Sequence, residues 1–436
     1  MVVEGLQKAP ELSEQESGDK IMNYECCNSH KDNHNFNQSQ VLIPKDDADP
    51  NKYMCVGGKY FAEVVNYDVS GRAFYDNVPI NKEAIVDRFG RKLLTDIPYY
   101  ETMCIVPSHT NYKPIIGRCF NRYYPLPYAP NKGDHPTWDI LLTRVFGEQF
   151  ELGLDYLTIA YRYPTQVLPV LCLVSVENGT GKSSYGNALA SIFGRNVGFC
   201  SQEDLSSKFN TWIKHLITVF EEISETKTTV NKIKNMSTAK SATLDEKYLP
   251  QITFQPFVKI IILSNNDRTF IKANEQDIRY WVRKLEPIPS EEFIPNFDNL
   301  LEAEAPAMLH TLATRNISTP KKSRMWFDPA IIATKALNRV RKESRSEIVR
   351  DLEILLDELL QNRYEIHTTP TELAELLRPK VYSFAQVASA LKDEMGLKPL
   401  KQTRFNNIKG ESKNGTPYYF TSEKIEPLEG EDLMPF

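Results

Sequence analysis

A short glycine-rich turn between an apolar run and a helical pattern constrains the fold of this chain most strongly. The apolar run VLPVLCLVSV (residues 167–176) is followed by ENGTGKSS and then by the helical pattern SYGNALASIF. A β-branched apolar run of this length predicts a buried strand, so the order is strand, tight turn and helix. When a strand, a tight turn and a helix follow one another, the N–H groups of the turn and the helix N-terminus face one point. This arrangement favours the binding of a phosphate group. We therefore expect an α/β core built around this turn.

The turn also carries the residue types of a site for a nucleoside triphosphate. The lysine of such a turn reaches the β- and γ-phosphates, and the next hydroxyl binds Mg²⁺. Lys182 and Ser183 hold these positions, so ATP and Mg²⁺ are the predicted cofactors. The full pattern has a glycine five residues before Gly181, where this chain has Val176, and a chance GTGKS in an ordinary turn is the alternative. The predicted cofactor-binding residues are Gly179, Thr180, Gly181, Lys182, Ser183 and Ser184.

Two adjacent glutamates end the next apolar run. The segment HLITVFEEIS (residues 215–224) has the apolar pattern of a strand up to residue 220. Glu221 and Glu222 follow directly after this pattern. One carboxylate can hold the hydration shell of Mg²⁺ while the other polarises the attacking water. We assign Glu221 to the metal, together with Ser183, and Glu222 to the water. The alternative is a strand that runs into an exposed acidic helix, and the interval of about 40 residues after Lys182 favours the catalytic interpretation.

A third apolar run, VKIIILSNN (residues 258–266), ends in two asparagines. An amide at the tip of a strand beside the phosphate turn can orient water against the γ-phosphate, and we predict this role for Asn265. A plain Asn-Asn turn is the alternative. An arginine at a subunit edge can neutralise charge on the phosphate of a neighbouring subunit. The residues alone do not separate such an arginine from a structural ion pair among Arg268, Arg279 and Arg283.

A polar, lysine-bearing stretch separates the glutamate pair from the asparagine strand. A loop of this kind beside a nucleotide site can grip the phosphate backbone of single-stranded DNA. A solvated surface loop is the alternative. The residues that we predict to contact nucleic acid are Lys234, Lys240 and Lys247.

Composition sets broad limits on the class of protein. A length of 436 residues is typical of about three domains. Seven Cys exclude a disulfide-dense scaffold, and no segment approaches the run of about 20 apolar residues that a membrane helix needs. The first residues lack a secretory pattern, so we expect a reducing, cytoplasmic compartment and no membrane partner. A net charge of −5 argues against a uniformly basic protein but not against a local basic groove.

Changes in composition predict four segments. Residues 1–40 are polar enough to remain disordered, and residues 41–132, rich in short β-type runs and tyrosines, predict an α+β domain. Residues 133–330 hold the phosphate turn and form the predicted ATPase domain. Residues 340–436 combine short helices with a basic segment and predict a winged-helix-like domain that can contact DNA. The first segment holds four metal-type ligands without zinc-site spacing, and a flexible tail is the favoured interpretation: Cys26, Cys27, His30 and His34.

The order of these motifs resembles that of superfamily 3 helicases. GTGKS, a strand ending in Glu-Glu, a lysine-bearing loop, a strand ending in Ser-Asn and then Asp-x-Arg follow one another from about residue 135 to residue 287. The chain is most similar to the primase-helicase proteins of bacteriophages, plasmids and large DNA viruses. The phage branch of that family also lacks the first glycine of the turn.

The resemblance implies a P-loop, AAA+-like ATPase core that assembles as a ring, usually a hexamer, with ATP between subunits. It transfers catalytic roles to Glu221, Glu222 and Asn265, and it assigns the arginine finger to Arg279, with Arg283 left open. Single-stranded and fork DNA are the implied partners, together with a separate primase or polymerase because no acidic primase triad is evident here. For a chain from a phage, the implied location is the cytoplasm of the bacterial host.

The sequence therefore predicts an ATP-dependent, ring-forming DNA helicase that translocates on single-stranded DNA during replication of a phage or mobile element. One alternative is an AAA+-type ATPase that loads or remodels proteins without unwinding DNA. Another is a replication initiator in which ATP serves only as an assembly signal. Unwinding of duplex DNA separates the first prediction from both alternatives.

Overall fold

The computed structural model describes residues 49–67, 73–224, 226–237, 239–247, 249, 251–274, 277–361, 363–377 and 380–422. The predicted tail of residues 1–40, with Cys26, Cys27, His30 and His34, lies outside these ranges. No helix in the described ranges combines the length and the apolar character that a bilayer crossing requires.

The described residues between 49 and 121 form two small sheets and two short helices. The four-stranded sheet has the order β3-β2-β1-β4, and the three-stranded sheet has the order β5-β7-β6. The chain turns in a hairpin at Gly57 and Gly58, since β1 and β2 are antiparallel and Val56 pairs with Lys59. The elements are β1 Tyr53–Val56, β2 Lys59–Tyr67, β3 Ala73–Ile80, α1 Lys82–Phe89, α2 Leu93–Asp96, β4 Tyr99–Tyr100, β5 Thr102–Cys104, β6 Ile115–Ile116 and β7 Cys119–Asn121.

One predicted helix is shorter than its pattern. The spacing of residues 82–94 predicts a single helix, but α1 ends at Phe89 and a second, four-residue helix begins at Leu93. Gly90 has φ +79° and donates its N–H to the carbonyl of Val86 at 2.7 Å. Glycine reaches this positive φ without the clash of a Cβ, and with ψ 164° the backbone leaves the helix at this residue, which is the physical reason for the break.

The central region is a mixed α/β fold whose parallel sheet has the order β14-β8-β13-β10-β9. Every residue of β8 and of β13 is buried, as expected for strands covered on both faces. The elements are α3 Pro136–Phe146, α4 Phe150–Arg162, β8 Val170–Val174, α5 Lys182–Phe193, β9 Val197–Cys200, α6 Gln202–Ser206, β10 Ile217–Glu221, α7 Lys227–Met236, β11 Ala242–Leu244, β12 Ile252–Phe254, β13 Lys259–Ser264, β14 Tyr280–Lys284, α8 Phe297–Ala303, α9 Ala305–Thr314 and α10 Lys335–Glu343.

The sheet places the predicted motifs at one edge. All five strands are parallel, so their carboxyl ends meet at the same side. The glycine-rich turn leaves β8 there, between the ends of β13 and β14, and the glutamate pair ends β10 next to β13. The buried stack of Phe146 on Trp281, with ring centroids 5.1 Å apart, packs α3 against β14 and holds the helix beside this edge.

The C-terminal residues have their own apolar core. One continuous cluster of buried side chains spans Met54 to Val340, and a second spans Val349 to Phe420. β15 pairs with β18 and β16 pairs with β17, both antiparallel. The elements are α11 Glu347–Leu360, β15 Glu365–Thr368, α12 Pro370–Leu376, α13 Phe384–Ser389, which continues as a π-turn over Ala390–Glu394, β16 Thr403–Asn406, β17 Ser412–Gly415 and β18 Tyr418–Thr421.

A buried lysine at the start of β13 should make the stability of the protein depend on pH. Lys259 is fully buried and donates to the carbonyl oxygens of Pro164 and Phe257, and burial lowers its pKa to about 7. Between pH 7 and the unfolded pKa of 10.5 the unfolded chain binds more protons, so stability rises with pH in this window. We expect the titration of this lysine to raise the free energy of unfolding by about 2 kcal/mol between pH 7 and pH 9.

The variant Lys259→Met removes the titrating group and should flatten that pH dependence. The measurement is the free energy of unfolding, from denaturant titration at several pH values, as the difference between wild type and variant. If the free energy of unfolding depends on pH in the same way in both proteins, the lowered pKa of Lys259 is not the cause of the pH dependence. The variant Lys322→Met, at an exposed lysine, controls for loss of a charge.

Candidate nucleotide-binding site

The turn between β8 and α5 contains two glycines in backbone conformations that other residues rarely adopt. Gly179 and Gly181 adopt positive φ values of +67° and +86°, and Gly181 is the N-cap of α5. A side chain is disfavoured at both positions because L-residues rarely adopt this conformation. Among the described residues, no heavy atom lies within 4 Å of the point where a Cβ on Gly179 would stand, so the space beside Gly179 is open.

Lys182, the first residue of α5, curls over this turn. Its side chain is buried, and Nζ donates to the carbonyl oxygen of Glu177 at 3.4 Å and to Oγ1 of Thr180 at 3.3 Å. Burial lowers the pKa of Lys182, and the nearby charge of Glu222 partly offsets this effect. Both contacts are long for hydrogen bonds of an ammonium group. A phosphate oxygen in the turn would be a stronger acceptor than either of them.

The glutamate pair lies on the strand next to β13. Glu221 ends β10 in register with Leu263 of β13, and Glu222 follows with φ +51°. This left-handed conformation is rare for a residue with a side chain, and such outliers concentrate at functional sites. The N–H of Glu222 donates to the carbonyl of Leu263 at 3.0 Å, and Oε1 of Glu222 accepts from the N–H of Asn265 at 3.1 Å. The strained residue is thus held on the end of β13.

The two asparagines after β13 have different environments. Oδ1 of Asn266 accepts from the N–H groups of Arg268 and Thr269, each at 2.9 Å, so this side chain stabilises a local turn. Asn265 is exposed at the strand end, and its N–H holds the carboxylate of Glu222. The structure therefore brings together Lys182, Glu222 and Asn265, the last through its backbone.

The residues predicted for Mg²⁺ fit a hard, oxygen-binding cation. Ser183 is exposed on the first turn of α5, and Glu221 is exposed at the end of β10. A hydroxyl, one carboxylate and water are donors that Mg²⁺ accepts, because it keeps several waters and takes few protein ligands. Within the described residues no three His, Cys, Asp or Glu side chains are arranged for a cage made of protein ligands alone. The donor set therefore suits a metal shared with a phosphate.

An apolar cavity of about 450 Å³ adjoins the phosphate turn, and sequence reasoning missed it. Gly181 and Ser184 form its wall on the turn side, and the N–H of Ile288 donates to the carbonyl of Gly179 at 3.0 Å. Ligand pockets combine apolar walls with a few polar groups, which suits a nucleoside here. Its other walls come from α3 and from the segment after β14, through Ile140, Leu141, Arg144, Ile288 and Phe293.

Arg144 is the charged side chain of α3 in this cavity. It forms an ion pair with Glu292, and its Cδ would lie 3.7 Å from a Cβ on Gly181. A guanidinium this close to the phosphate turn can contribute to binding an anion. The i, i+4 spacing of Ile140 and Arg144 was the signal in the sequence, since it places both on one side of α3.

The three candidate arginines lie in different places. The carbonyl of Arg279 accepts from Val170 N–H at 2.7 Å, so Arg279 lies at the amino ends of β14 and β8, about 15 Å from the phosphate turn. Its guanidinium pairs with Asp277. Arg283 donates to the carbonyl of Val145 at 3.2 Å and to Glu148 at 2.8 Å, which ties β14 to α3. Arg268 is exposed and lies 3.7 Å from Asp267.

The predicted DNA-binding lysines are divided between two places. Lys240 and Lys247 are exposed on either side of β11, which forms an antiparallel hairpin with β12. Lys234 lies on α7 instead and lines a separate cavity. At the turn of the hairpin Glu246 is buried, and it accepts from Lys214 at 2.7 Å and pairs with Arg122.

Comparison with known proteins adds a family model and solved structures. Residues 173–280 match a family of unknown function, DUF5906, over about a quarter of the chain. No protein with a curated description matches the sequence significantly.

Two apo structures of the NrS-1 C-terminal region are similar to this chain over most of their length. One, spanning residues 305–718 of NrS-1, has a TM-score of 0.57 and 16% identity and covers 81% of this chain and 95% of its own. The other, described as the A form, has a TM-score of 0.59 and 15% identity. Its match covers 85% of this chain and 100% of its own chain. At such identities the similarity concerns the fold. A JC virus helicase matches at 14% identity over 51% of this chain and 64% of its own, with a TM-score of only 0.27.

Proposed function

We propose that this protein is an ATP-dependent, ring-forming DNA helicase that translocates on single-stranded DNA during replication of a phage or mobile element. The observation that carries the proposal is the convergence of Lys182, Glu222 and Asn265 at the carboxyl edge of one parallel sheet. A lysine for the phosphates, a carboxylate for the water and a residue that positions this carboxylate form a hydrolytic site. A site that only bound nucleotide would not need the strained Glu222.

The proposal extends to the type of core. Placement of β8 between β13 and β14, with the glutamates one strand further on, fits a P-loop, AAA+-like ATPase of superfamily 3 and the primase-helicase type. The helices and the β16–β17 hairpin of the C-terminal module suit a winged-helix-like domain. The similarity in fold to the NrS-1 C-terminal region supports the architecture and not the activity.

ATP would lie over the turn from Gly179 to Ser184, with its nucleoside in the cavity beside α3. Ser183 and Glu221 would hold Mg²⁺, which neutralises charge on the phosphates when bound. Glu222 would accept a proton from the attacking water while the Asn265 N–H fixes its carboxylate. Because Arg279 lies at the amino ends of β14 and β8, it does not act on the nucleotide of its own chain, and the arginine finger of a hexameric ring stays a prediction.

Strand displacement tests the proposal against a loader or initiator without unwinding activity. A forked duplex with a labelled strand, ATP and Mg²⁺ should give single-stranded product, and single-stranded DNA should stimulate hydrolysis. If the protein hydrolyses ATP without a response to DNA and leaves the fork intact, the alternative is correct.

The exposed lysines of the β11–β12 hairpin should contribute to the grip on DNA. The double variant Lys240→Ala/Lys247→Ala should weaken binding of single-stranded DNA several-fold and reduce the slope of log K against log salt by about 1 to 2, because each lysine releases about one counterion. Fluorescence anisotropy at several salt concentrations measures both quantities. The double variant Lys321→Ala/Lys322→Ala removes the same charge at another exposed site and should leave the slope unchanged. Equal slopes for the two double variants would place the DNA elsewhere.

A further inference from the structure

A second cavity lies between the central fold and the C-terminal module. Its volume is about 500 Å³, and its walls come from the loop before β14, from α7, from the end of α10 and from the linker into α11. Glu394 of the C-terminal module closes one side. The basic side chains that line this junction cavity are Lys234, Lys272, Arg279, Arg341 and Arg345.

Among the described residues that line the junction cavity, basic side chains outnumber acidic ones. The described lining contains two carboxylates, those of Asp277 and Glu394, and five basic groups, of which Arg345 also pairs with Glu353. The carboxylate of Asp277 pairs with Arg279, and Oε2 of Glu394 accepts from the N–H of Ser346 at 3.2 Å. Both acidic groups are therefore engaged by the wall itself.

Three buried polar atoms of this lining have no hydrogen-bond partner. They are Nε of Arg279, Nε of Arg341 and Oγ of Ser346, half of the six such side-chain atoms found among the described residues. Burial of a donor without an acceptor costs free energy, and native proteins keep few such groups. Their concentration in one basic cavity indicates that an acceptor-rich group belongs there.

The donors are also held in fixed orientations. Asp277 binds Arg279 through its carboxylate and accepts from Nη2 of Arg341 at 3.0 Å through its carbonyl, and Nη1 of Arg341 donates to Asn338 at 3.2 Å. One edge of each guanidinium is thus fixed, and the Nε side is left unpaired. Planar donors held in this way suit an oxyanion with several acceptor oxygens.

The N-terminus of α11 adds to the preference of the cavity for an anion. Ser346 is the N-cap of this 14-residue helix, and its side chain makes no capping hydrogen bond. A helix N-terminus carries partial positive charge and favours an anion. With Nε of the two arginines, the hydroxyl of Ser346 makes three unpaired donors in the lining of one cavity.

We propose that the junction cavity binds a phosphate group. The inference goes beyond the proposed function, because neither Lys182 nor the glycine-rich turn lines this cavity. A phosphodiester of nucleic acid and the phosphate tail of a nucleotide present the same oxygens, so either can be the source. Arg341 and Ser346 are the residues that define the site, and Arg279 contributes to it.

Binding of inorganic pyrophosphate to the full-length chain tests the site. Isothermal titration is performed in the Lys182→Ala background, which removes the lysine of the other phosphate site. Adding Arg341→Gln should weaken binding about tenfold or more, and adding Ser346→Ala should weaken it by a smaller factor. Arg339→Gln is the matched control, since Arg339 lies on the same helix but pairs with Asp267 at 3.1 Å. It should leave the affinity unchanged.

Competition identifies the source of the phosphate. Displacement of pyrophosphate by a short oligothymidylate, lost in the Arg341→Gln variant, indicates a phosphodiester. Displacement of pyrophosphate by ATP, likewise lost in the Arg341→Gln variant, indicates a nucleotide. Equal pyrophosphate affinity in the Arg341→Gln, Ser346→Ala and Arg339→Gln proteins, or no saturable binding, would overturn the proposal. Hydrolysis that depends on Lys182 is measured separately, so failure here and failure of the proposed function are distinguishable.

Discussion

Replacement of Lys182 by alanine should lower the rate of ATP hydrolysis by a factor of about 10² to 10³ or more. Nζ of Lys182 lies over the phosphate turn, against the carbonyl of Glu177 and the hydroxyl of Thr180. Its charge is buried, so its attraction for a phosphate is weakened less by water than at an exposed site. During the reaction negative charge builds up on the phosphate oxygens, so the attraction between these oxygens and Lys182 grows. The alanine variant lacks this attraction, and the rate falls.

The measurement is steady-state phosphate release with and without single-stranded DNA. The matched control is Lys322→Ala, which removes an exposed lysine outside the site and should hydrolyse ATP like wild type. Melting temperatures of both variants verify that they are folded. An unchanged rate in the Lys182→Ala protein would show that the turn is not the phosphate site, and the proposed function would fail with it.

The site could be predicted from the sequence where its chemistry follows directly from strand ends. The strand, turn and helix around Lys182 were evident because β8 is buried on both faces and is therefore uniformly apolar. The glutamates and asparagines follow two further apolar runs, and parallel pairing brings the carboxyl ends of those runs together. Local pattern and topology agree here, so the residues that meet could be named in advance.

The cavity beside the phosphate turn could not be predicted in this way. Arg144 and Glu292 pair across 148 residues of sequence, and neither belongs to a motif. Similarly, Glu246 lies in a polar stretch that reads as a surface loop, yet it is buried because Arg122 and Lys214 neutralise it. Such contacts depend on how separate segments pack, and no periodicity in the sequence records them.

The strain at Glu222 was also invisible in the sequence. A strand pattern that ends in two glutamates gives no indication that the second adopts φ +51°. The conformation arises because the N–H of Glu222 bonds to Leu263 while its carboxylate reaches Asn265 on the neighbouring strand. The backbone must turn sharply to make both bonds, and the carboxylate held in this way is close enough to Lys182 for its charge to act on the pKa of that lysine.

Replacement of Glu222 by glutamine should therefore abolish hydrolysis and preserve nucleotide binding. The amide keeps an oxygen that can accept from the Asn265 N–H, so the local geometry should persist, but it cannot accept a proton from water. We expect hydrolysis to fall by a factor of about 10² to 10⁴. ATP affinity, measured with a fluorescent analogue, should change less than about threefold because Lys182 and the turn are intact.

Glu221→Gln separates the two carboxylates. Loss of a ligand for Mg²⁺ should raise the Mg²⁺ concentration required for binding and hydrolysis, whereas Glu222→Gln should leave that requirement unchanged. Glu358→Gln, at an exposed position on α11, controls for removal of a carboxylate. If Glu221→Gln instead traps ATP without hydrolysis and Glu222→Gln shifts the Mg²⁺ requirement, the two roles are exchanged. If both variants hydrolyse ATP at the wild-type rate, the base lies elsewhere, and the strain at Glu222 would have only a structural cause.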